Sequence, residues 1–388
     1  MAGGMMAATA RPATDAAARH AGLTRLRFFL IGWVVLYHLN LPLHVADGWP
    51  WAGPLLWHGY LGVDGFFLLS GFALWLGYGT RPPRGAAGIG RFLLRRVAKI
   101  WPLHLAALLA LALLVAVITA LGVPINDPDR FAARDFVLQM LLLNGWETTE
   151  RFSWNYPSWA LSVEWAGYLA FPALLAGLLR LPRSLAALVP VLGFAGLWLL
   201  AQHPPNNSLN HTLHLGLVRF GLEFAIGLGL GRLATEGRMP RALPWLAAAA
   251  LPAGLWLWQD ALAVLGLAGV MLAVWQAGLR ATAPARPGLL LRLGEASFGI
   301  YLGWVFVEVG VVGAIRLLQP GFAGSLAIMA AGFVATLAVG WCAWRWVEVP
   351  AHRWILARTS GAGALPRPGH AGPPQRPGRP KAAWKPGV

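Results

Sequence analysis

The stretch Arg27-FFLIGWVVLY-His38 decides how this chain is read. Ten uncharged residues separate a guanidinium from an imidazole, inside a run apolar enough for a membrane helix. Eleven positions make about three helical turns, so both side chains fall on nearly one face, roughly 16 Å apart along the axis. Ionisable groups in an apolar helix are costly. They normally face a bundle interior or a water-filled cavity, which marks them as functional by default. The competing account makes Arg27 a plain flank and His38 a snorkelling side chain. The rest of the chain decides between the two.

Around this stretch the composition excludes a soluble protein, with 57% hydrophobic and 12% charged residues and a mean hydropathy of +0.58. Segments long enough to span a bilayer recur at 25–43, 60–79, 101–121, 156–179, 185–201, 215–231, 242–258, 261–279, 296–316 and 323–346. The expected fold is an all-α membrane protein of about ten transmembrane helices. Gln259-Asp260 alone separates the seventh segment from the eighth.

The net charge of +16 is a topology signal. With both termini cytoplasmic and loops alternating, 26 of the 31 Lys and Arg fall inside; Arg130, Arg134, Arg151, Arg219 and Arg316 do not. No basic patch with interleaved aromatics marks a nucleic-acid interface. The single cysteine, Cys342, leaves no disulfide framework and no Cys-based metal site. The 21 Trp fit interfacial belts and helix packing. Because Arg27 and His38 interrupt the first apolar segment and nine more follow, it reads as retained rather than cleaved.

Residues 1–24 read as a cytoplasmic leader, 25–354 as the transmembrane domain and 355–388 as a disordered, basic, Pro/Gly-rich cytoplasmic tail. The longest outer loop, 122–155, contains an expected amphipathic helix from Phe131 to Leu143 lying on the surface. No internal repeat of the transporter kind is visible.

Depth is the useful coordinate for chemistry. His38 lies roughly 7–8 Å below the outer boundary, Asp64 about 6 Å and Glu164 about 10 Å, so three helices bring three ionisable groups into one layer. A histidine beside a carboxylate can accept a hydroxyl proton as that hydroxyl attacks an acyl carbon. The carboxylate, Glu164 or Asp64, would orient the imidazole and stabilise the imidazolium. Ser162 is less suited to carry an acyl group, since serine in a membrane helix commonly bonds back to its own backbone. On the inner face Arg91, Arg95, Arg96 and Lys99 precede Trp101 and Pro102, and Arg27 reaches the same surface. A positive-inside anchor explains part of this cluster. A site for a phosphorylated donor explains it too, because guanidinium groups bind phosphate in bidentate fashion. Such a donor needs a long arm to bring an acyl group to His38.

Five blocks in order, and a sixth at the end, resemble the acyltransferase family 3 membrane O-acyltransferases that modify bacterial surface and exported glycans. They are Arg27 with ten residues to His38, GYLGVDGFFLLSGF at 59–72, RFLLRRVAKIWPL at 91–103, WNYPSWALSVEWAGYLAFP at 154–172, LGEASFGIYLGW at 293–304 and RWVEVP at 345–350. The resemblance implies that Arg27 and His38 are the essential pair, that Glu164 is their acidic partner and that acyl-CoA is the cytoplasmic co-substrate. Two departures stand out. Arg96-VA-Lys99 replaces the family's Arg-x-x-Arg, and Trp304 occupies a position where the family commonly has histidine.

The expectation is therefore a multi-pass enzyme of the bacterial inner membrane. It would transfer an acyl group, expected to be acetyl, from acyl-CoA to a hydroxyl of a surface, exported or lipid-linked glycan. His38, Arg27, Glu164 and Asp64 form the catalytic set, and Arg95, Arg96 and Lys99 hold the donor. Ser162, Trp159, Arg219, Glu223 and Tyr301 line the substrate cavity. Arg219 and Glu223, one turn apart, form an intrahelical pair. Glu308 is a further candidate for the cavity, and Glu348, between Arg345 and Arg353, is a brace. His211 and His214 have no carboxylate company, so no metal is expected. The alternative is a proton-coupled transporter using His38, Asp64 and Glu164 as a relay.

Overall fold

The computed structural model describes residues 11–125, 127–204, 208–237, 239–280 and 288–360. Among them are sixteen α-helices and no strand. The first half of the chain contains α1 (Arg11–Leu43), α2 (Gly53–Trp57), α3 (Leu61–Tyr78), α4 (Gly85–Ala120), α5 (Ala133–Met140), α6 (Ser158–Arg180), α7 (Arg183–Ala186) and α8 (Leu188–Ala201). Then come α9 (Gly216–Glu236), α10 (Leu243–Ala248), α11 (Ala250–Trp256), α12 (Asp260–Arg280), α13 (Leu289–Glu295), α14 (Ser297–Leu318), α15 (Phe322–Ala343) and α16 (Val349–Ser360).

Eight helical segments among the described residues are long and apolar enough to cross a membrane, and the protein is a multi-pass membrane protein. The other two expected spans take different forms. Helix α9 has 21 residues but carries Arg219, Glu223 and Arg232, all buried against its neighbours. The seventh expected span is the short pair α10 and α11, together only Leu243–Trp256. Several ends also move. Helix α1 begins at Arg11, inside the expected leader. Helix α4 begins at Gly85 and runs 36 residues, about 54 Å, because its basic stretch is made of good helix formers. Helix α15 passes through a π-helical turn, Trp344–Glu348, into α16 and so extends past the expected end at 346. Pro350, lacking an N–H and crowding the preceding turn, accounts for that widening. Of the expected tail, 361–388 lies outside the described residues.

In lipid, apolar helix faces gain little by meeting each other, so close backbone approach at small residues sets the packing. Helices α3 and α9 meet at Gly71 and Gly227. A Cβ on Gly71 would lie 2.2 Å from the Phe224 carbonyl, and one on Gly227 would lie 2.2 Å from that of Leu68. This contact holds α3 and α9 side by side and brings Asp64 to Arg219 two turns away. The polar side chains Asp64, Ser162, Arg219 and Glu223 are buried, while Leu109, Leu113 and Val117 form an exposed apolar stripe along α4.

Within 122–155 the helix expected on the surface from Phe131 to Leu143 instead turns its end into the bundle, while much of the rest of the segment stays exposed. Helix α5 is only eight residues, and its end sits against the middle of α4. The Trp101 indole donates to the Met140 carbonyl at 3.2 Å, and His104 Nε2 is 2.8 Å from that of Gln139. Trp101 precedes the end of α4 by nineteen residues, about 28 Å. Ser162 then pins the chain beyond α5: its hydroxyl donates to Leu142 O at 2.6 Å and accepts from Gly145 N at 2.9 Å. The buried polar groups of the segment, Gln139, Asn144 and Asn155 among them, explain why it folds inward rather than floating on an interface.

Candidate active site

Two cavities lie end to end along α1. One, of about 590 Å³, opens toward the basic end of the bundle and is lined by Arg27, Arg95, Arg96, Lys99 and Glu164. The other, of about 620 Å³, lies toward the opposite end and is lined by His38, Tyr156, Trp159, Arg219 and Glu308. Val63 and Tyr301 line both. The Tyr301 hydroxyl donates to the Pro157 carbonyl at 2.8 Å, tying α14 to the start of α6 at this partition. The eleven-residue spacing of the first helix thus puts its guanidinium in one chamber and its imidazole in the other.

Aromatic rings hold His38. Its ring stacks on Trp304 with centroids 3.9 Å apart and planes at 19°, and Tyr37 and Tyr156 meet it edge-on at 5.0 and 6.2 Å. His38 Nδ1 is buried without a hydrogen-bond partner, which leaves Nε2 as the nitrogen that can reach the cavity. Among the described residues no carboxylate pairs with this ring. Glu308 comes nearest by connection, with its carboxylate 3.4 and 3.5 Å from the Tyr156 hydroxyl, which in turn lies beside His38. Burial first, and the Glu308 charge second, raise the Tyr156 pKa well above its usual value, so this phenol stays protonated and able to donate.

The expected convergence of His38, Asp64 and Glu164 is therefore corrected. Asp64 is fully buried and bound by Arg219 through Nε, at 3.0 Å, and Nη2. Glu164 faces the basic-end cavity, where it accepts from the Ser70 hydroxyl and, at 2.6 Å, from that of Tyr168. Glu164 is also displaced along the bundle, since its partner Ser70 lies six residues, about 9 Å, beyond Asp64 on α3 toward the basic end. The directions of the three side chains around their helix axes, which depth does not fix, complete the separation.

The proposed donor residues also divide. Arg27 and Arg95 carry no hydrogen bond or ion pair among the described residues. Lys99 is ion-paired with the buried Glu348, so the brace expected between Arg345 and Arg353 in fact crosses to α4. The Arg96 guanidinium lies 5.6 Å from the ring centroids of both Phe92 and Tyr168.

Of the expected substrate-cavity set, Trp159, Arg219 and Tyr301 line the cavity holding His38. Ser162 and Glu223 line neither chamber. Ser162 is used to anchor the inward-folded segment, and Glu223 is buried behind Arg219, with the expected intrahelical pair at 3.9 Å. The stronger partner of Arg219 is Asp64 on another helix, and the guanidinium also donates to the His211 carbonyl at 3.2 Å and lies 5.8 Å from the Trp159 ring centroid. No cluster of His, Cys, Asp and Glu suited to a metal occurs among the described residues.

Some site residues were not singled out from the sequence. Tyr156 and Arg130 come from the segment that folds inward, and Arg130 lies 5.0 Å over the Tyr156 ring. His58 and Asp260 sit just behind this cavity. Asp260 accepts from the Tyr60 hydroxyl at 2.7 Å and the Leu209 N–H at 2.6 Å, while His58 Nε2 lies 3.7 Å away. The isolated Asp260 between two apolar runs was the one available signal.

Comparison with known proteins gives the family of the chain. A family model described as an acyltransferase domain matches residues 20–345. Acyltransferase MdmB of Streptomyces mycarofaciens is 28% identical over 358 residues, covering 79% of this chain and 85% of the relative. Protein 2 in picA locus of Rhizobium radiobacter is 42% identical over 70 residues, 18% of this chain and 37% of that protein. No solved structure matches.

Proposed function

This chain belongs to the acyltransferase family and is a membrane O-acyltransferase, and we propose that it moves an acyl group, in the first instance acetyl, from acyl-CoA to a hydroxyl of a surface, exported or lipid-linked glycan. The basic end faces the cytoplasm, and the membrane is the inner membrane of a bacterium. The charge asymmetry of the sequence and the bacterial sources of both relatives support that assignment.

One observation carries the reading: Arg27 and His38 occupy two chambers that meet at Val63 and Tyr301. A donor whose charged head stays at the basic end can pass an arm along the first chamber and present its thioester at the partition. The acceptor hydroxyl enters from the far side. His38 Nε2 takes the hydroxyl proton as the oxygen attacks the thioester carbon, and the thiolate leaves toward the basic end, where it is protonated. The aromatic walls of the second chamber, Tyr37, Tyr60, Phe152, Tyr156 and Trp159, suit the apolar faces of sugar rings, and Asn210, Thr212 and Glu308 offer polar contacts to hydroxyls.

The reading is tested by giving purified protein acetyl-CoA labelled in the acetyl group, with a glycan extract as acceptor. Label should appear in glycan, and surface glycans of a deletion strain should lose the matching mass. Transfer only to water, with unchanged glycan masses, would contradict it.

A further inference from the structure

A second recess opens at the basic end. It has a volume of about 320 Å³, and its charged lining is Arg84, Arg91 and Arg95. All three are exposed, and among the described residues none carries an ion pair or hydrogen bond. Arg91 and Arg95 are one turn apart on α4 and so share a face. Arg84 is set opposite them by the turn after Pro82-Pro83, and Gly85 takes the left-handed backbone (φ 63°) that glycine adopts without strain. The free N–H groups and positive end of the long helix α4 face the same recess, which Gly88 helps to line. Tyr78 and Arg95 line both this recess and the basic-end cavity, so the two are adjacent.

Two other cations of α4 are committed elsewhere. Lys99 neutralises the buried Glu348, and Arg96 packs against the Phe92 and Tyr168 rings. Three unpaired guanidinium groups around one concavity form a site for a ligand with several phosphate charges, because each can give two parallel hydrogen bonds to phosphate oxygens. We propose that this recess seats the nucleoside-phosphate head of the thioester donor, and that Arg96 and Lys99 shape the cavity rather than bind phosphate. The proposal rests on the acyl-CoA reading above. It also fixes the path of the arm: from Tyr78 to Val63 is fifteen residues of α3, about 22 Å, past the unpaired Arg27 to the partition.

The test compares coenzyme A with pantetheine, which has the same thiol arm but no nucleotide head. Binding of each to purified protein in nanodiscs is measured by calorimetry, alongside KM for acetyl-CoA and S-acetyl-pantetheine. The wild-type protein should prefer the CoA compounds strongly. Arg84→Ala and Arg91→Ala should each weaken CoA binding by about tenfold and leave the pantetheine compounds unchanged, with Arg→Lys intermediate. Arg27→Ala should instead affect both donors. CoA affinity unchanged in the Arg84→Ala/Arg91→Ala protein would overturn the proposal and leave the acyl-CoA reading standing. Failure of the wild-type protein to bind CoA would overturn both. Repeating the measurement with and without phosphatidylglycerol separates the donor from a lipid headgroup. Variants that change only the dependence on anionic lipid would assign the recess to lipid phosphate and overturn the proposal.

Discussion

The imidazole of His38 lies flat on the indole of Trp304, 3.9 Å between centroids, and Tyr156 abuts both rings at 6.2 and 5.2 Å. Catalytic histidines are commonly oriented by a carboxylate that also stabilises the imidazolium. Among the described residues no carboxylate pairs with this ring, and in the proposed mechanism the aromatic face would supply both services, fixing the ring plane and attracting the developing cation.

Trp304 should accordingly govern turnover more than binding. Trp304→Leu should lower kcat by about 2- to 30-fold with KM for acyl-CoA unchanged, the range expected for one cation–π contact. Trp304→Phe, which keeps a ring face, should recover most of the loss. Equal loss in both variants would leave Trp304 with a packing role only.

The buried triad of Asp64, Arg219 and Glu223 predicts an asymmetry. Arg219→Gln leaves two buried carboxylates without a counter-charge and should cost about 3–5 kcal/mol of stability. Asp64→Asn leaves Glu223, 3.9 Å from the guanidinium, to balance Arg219, and should cost clearly less. Unfolding of detergent-solubilised protein measures both, and equal losses would contradict this account of the triad.

Lys99 and Arg95 should separate structure from binding. Lys99→Ala strands the buried Glu348 and should lower the melting temperature, whereas Lys99→Arg preserves the pair. Arg95→Ala touches an exposed, unpaired side chain and should leave the melting temperature within about a degree or two. A drop for Arg95→Ala matching that of Lys99→Ala would show that exposure does not separate the two roles.

Much of this was legible in the sequence. Hydrophobic runs located the helices, and the Arg27 to His38 spacing gave the separation along α1. Helix α9 is legible as a helix from its apolar run, but Arg219, Glu223 and Arg232 keep it out of the eight segments apolar enough to cross a membrane. What one dimension could not supply was the direction each side chain takes around its helix and the chamber it faces. Depth placed Asp64 and Glu164 level with His38, yet Asp64 turns to Arg219 and Glu164 to Ser70 and Tyr168. The inward-folded segment was missed for a related reason. Its amphipathic pattern around α5 fits a membrane surface as well as a groove, and only long-range partners such as Ser162 and Trp101 decide between them.

The partition offers a test of coupling. Tyr301→Ala should open the passage between the chambers and admit water to the thioester, raising CoA release without acceptor relative to transfer. Tyr301→Phe loses only the bond to Pro157 O and should keep hydrolysis low. Thiol release measured with and without acceptor gives the ratio. Unchanged hydrolysis in Tyr301→Ala would show that the barrier lies elsewhere.

The central claim is that His38 activates the acceptor hydroxyl, and the most direct measurement is transfer of labelled acetyl from acetyl-CoA to glycan by purified wild-type and His38→Ala protein. The account predicts that the variant inserts, purifies and binds CoA as the wild type does, yet transfers at least about a hundredfold more slowly, the usual yield of a positioned general base. Transfer by His38→Ala at the wild-type rate would contradict it.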